Sequence, residues 1–90
     1  MSIPPELVNK IAADEAICAL KMNDTKKYGK LITKWQNDLS DFILKRQDME
    51  EILYHCKKLQ NELNCHPDKK GCLNLLETLM CDIKEELGLE

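Results

Sequence analysis

Residues 28–63 read YGKLITKWQNDLSDFILKRQDMEEILYHCKKLQNEL. Within them Tyr28, Ile32, Trp35, Leu39, Phe42, Arg46, Met49, Leu53, Cys56, Gln60 and Leu63 recur in alternating steps of four and three. That is the apolar seam of a heptad helix. No Pro interrupts the stretch, and Gly29 lies at its start. The spacing predicts a helix over about residues 25–64, roughly 60 Å long at 1.5 Å per residue. Its weak point is Asn37-Asp38-Leu39-Ser40-Asp41, four poor helix formers around one Leu. The unbroken phase from Trp35 to Met49 favours one continuous helix, with a break near 38–41 as the alternative.

Outward from this stretch, two shorter helices are expected. Pro4-Pro5-Glu6 suits a helix start, because Pro fits the first helical position and an early acid suits the positive end of the dipole. Helix 1 is expected from about Pro4 to Met22, with Leu7, Val8, Ile11, Ala12, Cys18, Ala19 and Met22 as its inner stripe. Glu15 falls at the edge of that stripe, wet or paired with Lys30 or Lys34 of the next helix. Asn23-Asp24-Thr25 reads as a turn and N-cap. Asn64, Pro67 and Gly71 stop the long helix. A last helix follows to about Leu87, with the stripe Cys72/Leu73, Leu76, Leu79/Met80, Ile83 and Leu87, and Gly88 ends it. No internal repeat is visible.

The fold expected is therefore all-α and a single domain over residues 1–90. Three helices, a long central one flanked by antiparallel helices 1 and 3, are favoured over a four-helix bundle broken near 38–41. In the three-helix form the central seam meets one partner helix at each level. Two layers do not enclose Trp35, Leu39, Phe42, Met49 and Leu53. A homodimer, or pairing with another helical protein, would cover that seam. Those five residues are the candidate partner-binding set, since aromatic side chains carry much of the energy of interfaces. Arg46 occupies a seam position, where it either meets Glu85 or Glu86 at the end of the last helix or lays its stem on the surface with the head in water.

Composition limits the function classes. The 90 residues are 43% hydrophobic and 32% charged, with a net charge of −3. A mildly acidic chain argues against general nucleic-acid affinity. The apolar runs are short for a membrane span, and the N-terminus lacks the basic and apolar regions of a secretory signal, so the expectation is a cytoplasmic protein. Lys26, Lys27, Lys30 and Lys34 form a basic patch on the early central helix. With no Arg and one nearby aromatic, Tyr28, it supports only a secondary reading as a small nucleic-acid-binding regulator.

Five cysteines in so short a chain raise a further alternative. Cys56 and Cys65, then Cys72 and Cys81, stand with eight residues between them on either side of a turn. This is similar to a cysteine-lined helical hairpin of the twin-CX9C type, one residue short. Nine positions along a helix rotate about 900°, so the two cysteines of each arm face opposite ways. A Cys65–Cys72 bond across the turn remains open, as does a zinc site from Cys65, His66 and Cys72 with His55 or Cys56. The tight ligand pairs typical of zinc are absent, so no metal or cofactor is assigned. No glycine-rich loop, nucleophile–base set or carboxylate–histidine motif appears, and His55-Cys56 are neighbours that point about 100° apart. The sequence thus reads as a non-enzyme without a small-molecule substrate. It is a helical protein–protein interaction module acting through the central seam as an adaptor, small chaperone, inhibitor or assembly subunit. The alternatives are a zinc- or redox-stabilised hairpin using Cys65/Cys72, and the nucleic-acid regulator.

Overall fold

The computed structural model describes residues 4–89, without the side chains of Pro5 and Glu6; Met1, Ser2, Ile3 and Glu90 lie outside the described residues. Four helices are present among them: α1 (Pro5–Lys21), α2 (Thr25–Ser40), α3 (Arg46–Asn64) and α4 (Lys70–Leu87). The all-helical class is as expected. The single long helix over about 25–64 is not, because the chain breaks across residues 41–45 and takes the four-helix form.

The break is built by backbone hydrogen bonds. Asp41 N–H donates to the Asn37 carbonyl (2.9 Å), Phe42 N–H to Leu39 (3.2 Å) and Ile43 N–H to Asp38 (3.1 Å). The last two are the paired bonds of a Schellman stop, which needs a left-handed residue after the helix. That residue is Phe42, with φ of 58°. α1 ends the same way through Asn23 (φ 61°), and α4 through Gly88 (φ 72°). Asn and Gly tolerate this backbone; a bulky aromatic residue does so at a cost. Helix starts are simpler. Asp24 accepts from the Lys27 N–H at 3.2 Å to cap α2, and Asp48 accepts from the Lys45 N–H at 3.1 Å at the start of α3.

The helices form two hairpins, α1–α2 and α3–α4, laid side by side. α1 and α4 each pack on both α2 and α3, while α1 does not approach α4, nor α2 approach α3. The link over 41–45 therefore crosses the bundle diagonally. Contacts fix the sense of the pairing. Tyr28 Oη donates to the Cys72 carbonyl at 3.0 Å, and further down the same two helices Gln36 Nε2 donates to Asp82 Oδ2 at 2.8 Å. So α2 and α4 run parallel. Lys21 and Glu62 pair near the ends of α1 and α3, which run parallel too. The body is a slab of 37 × 33 × 19 Å, about two helices thick.

Tyr28, Ile32, Trp35 and Leu39 of α2 share one core with Leu76, Leu79, Met80 and Ile83 of α4. The core joins these to Ala13, Ala16 and Leu20 of α1 and to Ile52, Leu53, Cys56, Leu59 and Leu63 of α3. The seam phase holds within each helix and fails at the break. Phe42 is 83% exposed, and Arg46 is a surface residue paired with Glu50 at 3.3 Å rather than with Glu85 or Glu86.

Candidate interaction surfaces

α1 is apolar on two faces. At 100° per residue, Ala13, Ala16 and Leu20 lie roughly opposite Leu7, Ile11 and Cys18. The alanine face is the buried one. Small side chains let neighbouring helices approach closely, and this outweighs the larger transfer energy of the aliphatic face. The expected inner stripe is thus corrected. Ala19 is buried, but Leu7, Val8 and Ile11 are more than two-fifths exposed and Met22 is 81% exposed.

The outward face opens into a cleft of about 490 Å³ between α1 and the start of α2, lined by Ile11, Asp14, Glu15, Cys18, Ala19, Met22, Asp24 and Lys27. Three carboxylates against one ammonium give it an acidic border. Glu15 is exposed, and no ion pair joins it to Lys30 or Lys34. Lys34 pairs instead with Asp38 at 3.2 Å. This surface escaped sequence reasoning, although the run of Ala12, Ala13, Ala16 and Ala19 signals a second stripe available for close packing.

Of the expected partner-binding residues, Trp35 (1% exposed), Leu39 and Leu53 lie in the core and Met49 packs against it. Their seam is covered within one chain, by α4 over α2 and by α1 and α4 over α3. Phe42 alone stands outside, beside Ile43, at the end of the slab where Ser40, Asp82, Glu85 and Glu86 share a small cleft with it.

Lys26, Lys27, Lys30 and Lys34 are all exposed. Lys30 and Lys34 line a shallow cleft on α2 with Gly29, Thr33, Asn37 and Asp38, whereas Lys27 faces the α1 cleft. Lys26, Lys30 and Lys34 stand four residues apart along one exposed side of α2.

None of the five cysteines is joined in a disulfide. Cys65 is an exposed cap whose thiol donates to the Asn61 carbonyl (3.7 Å), and Cys72 is half-buried. Among the described residues no three His, Cys, Asp or Glu side chains gather as a metal site. Burial pushes the Cys56 thiol up to about 12, so it stays protonated in the core. Tyr28 is pushed up by burial as well, with smaller contributions from Cys72 and Cys56. His55 faces away from Cys56 into a surface cleft with Lys10, Gln47, Glu50, Glu51 and Tyr54. Its pKa is lowered, first by burial and then by Lys58.

No helix among the described residues is long and apolar enough to cross a membrane. Compared with known proteins, the chain matches no family model, no curated protein and no solved structure.

Proposed function

We propose that the chain is a non-catalytic helical interaction module whose docking surface is the outward face of α1. The observation that carries this reading is the second apolar face: Leu7, Ile11, Cys18 and Met22 run the length of α1 on the side away from its buried alanines. A stripe at this spacing fits the apolar face of another amphipathic helix. The carboxylates of Asp14, Glu15 and Asp24 select one with Lys or Arg flanking its apolar residues. They also disfavour a second copy on the same face. In a two-fold pairing Asp14 and Glu15, near the middle of α1, would lie opposite their own copies. Like charges about 4 Å apart repel by roughly 1 to 4 kcal/mol between water and a protein surface.

The test uses two synthetic amphipathic helical peptides with the same leucine face, one flanked by Lys and one by Glu. The Lys-flanked peptide should bind at least ten-fold more tightly. Ile11→Ser with Met22→Ser should abolish that binding, and Asp14→Asn with Glu15→Gln should weaken it more than the equal charge change Glu85→Gln with Glu86→Gln. Equal affinity for both peptides, or no effect of the Ile11 and Met22 changes, would sink the reading.

A further inference from the structure

We propose that the chain also forms a homodimer by exchanging hairpins. In it α2 and α3 straighten into one helix across residues 41–45, and each hairpin docks on the other copy's partner hairpin. This is separate from the α1 docking surface and uses none of its residues.

Three observations converge on it. The heptad phase does not register the break: Leu39, Phe42, Arg46 and Met49 keep the steps that one continuous helix requires. No Gly or Pro lies between Lys30 and Leu63 to oppose helix there. Second, the closed link holds Phe42 in the left-handed region with its ring 83% exposed. Straightening returns the backbone to the right-handed region and brings the ring onto the seam. Strained short links of this kind favour exchange. Third, the contacts that join the hairpins need not be made within one chain. The Tyr28–Cys72, Gln36–Asp82 and Lys21–Glu62 pairs all run from the first hairpin to the second. Each re-forms unchanged between copies. Because α2 and α3 lie diagonally and do not pack on each other, opening the link breaks no helix–helix interface between them.

The experiment is to unfold equal amounts of 14N- and 15N-labelled chain together, refold at millimolar and at micromolar concentration, and measure the dimer fraction by sedimentation. Lys21 and Glu62, 3.8 Å apart across the hairpins, are then joined with a zero-length carbodiimide cross-linker and the peptides weighed. The proposal expects a dimer after refolding at millimolar concentration, with mixed-isotope Lys21–Glu62 peptides in it. Phe42→Gly, which relieves the closed link and weakens the straight helix, should lower the dimer fraction at least ten-fold. Phe42→Ala, which keeps the left-handed cost of the closed link but takes the ring from the seam, should lower it less than Phe42→Gly does. Three results would overturn the proposal: no dimer at millimolar concentration, a dimer holding only same-isotope cross-links, or a dimer fraction that Phe42→Gly leaves unchanged or raises. Each leaves the peptide-binding test of the α1 face unaffected.

Discussion

The ammonium of Lys69 donates to the side-chain oxygen of Asn23, tying the turn of the second hairpin to the turn of the first. Lys69 is 8% exposed and also pairs with Asp68 at 3.5 Å. Asn23 serves twice, since its left-handed backbone ends α1. Asn23→Ala should therefore cost about 1–3 kcal/mol, by straining the turn and removing a partner from a buried charge. Lys69→Met keeps the buried stem and removes the charge, and should cost less. Urea unfolding of the two variants checks the order.

Trp35 and Phe42 lie on one seam in the sequence and on opposite sides of the protein surface in the fold. Trp35→Ala should destabilise by about 3–5 kcal/mol, much of the ~5–15 kcal/mol total expected of a small domain. Phe42→Ala should stay within about 0.5 kcal/mol, as an exposed substitution does. Phe42→Gly should stabilise the monomer by about 1 kcal/mol, by removing a left-handed aromatic. Thermal melts at micromolar concentration separate the three.

Gly29 sits inside α2, and a Cβ there would meet nothing within 4 Å. Gly29→Ala should raise stability by about 0.5–1 kcal/mol through backbone entropy alone. That corresponds to several degrees in melting temperature for a domain of this size.

His55 gives the fold a pH dependence. Its pKa is lowered in the folded chain by burial, then by Lys58 and Lys10 against the opposing Asp14. The unfolded chain binds the proton more readily, at about pH 6.5. The histidine's contribution is thus complete above about pH 6.5 and is lost as pH falls toward the folded pKa. His55→Gln should narrow the difference in urea midpoint between about pH 7.5 and pH 5.5; an unchanged difference would remove His55 from the account.

Thiol labelling should follow burial. Cys18, Cys65 and Cys81 are exposed and should react with iodoacetamide in the native protein. Cys56, buried and held protonated, should react only on unfolding, at the rate the whole domain opens.

Helix content, caps and the inner stripe of α4 were legible in the sequence because each rests on local chemistry. Asp24, Pro5 and Gly88 mark helix ends by backbone preference, and Leu76, Leu79, Met80 and Ile83 repeat at the helical period. The break was legible only as the less favoured alternative: the poor helix formers of Asn37-Asp38-Leu39-Ser40-Asp41 marked it near 38–41. Its exact place at Phe42 was not, since Gly, Asn and Asp, the usual left-handed stops, are absent there and the phase on both sides agrees. The inner face of α1 was misread because hydrophobicity ranks Leu7 and Ile11 above Ala13 and Ala16, while close helix contact ranks them the other way. That second ranking depends on which helix lies alongside. Here it is α3, parallel to α1 and some 40 positions further along the chain.

The diagonal link also sets an order of events during folding. Each hairpin closes through a short turn, so its two helices meet early, on the microsecond scale of local contacts. The sheltering of Trp35, Cys56 and Leu79 must wait until the hairpins find one another in parallel register. During synthesis α1 and α2 are complete before α3 begins, and for that interval Tyr28, Ile32 and Trp35 have only α1, with Ala13, Ala16 and Leu20, beside them. The first half of the nascent chain is then a hairpin with one wet apolar side, and the rate at which the second half is delivered decides how long that side stays open.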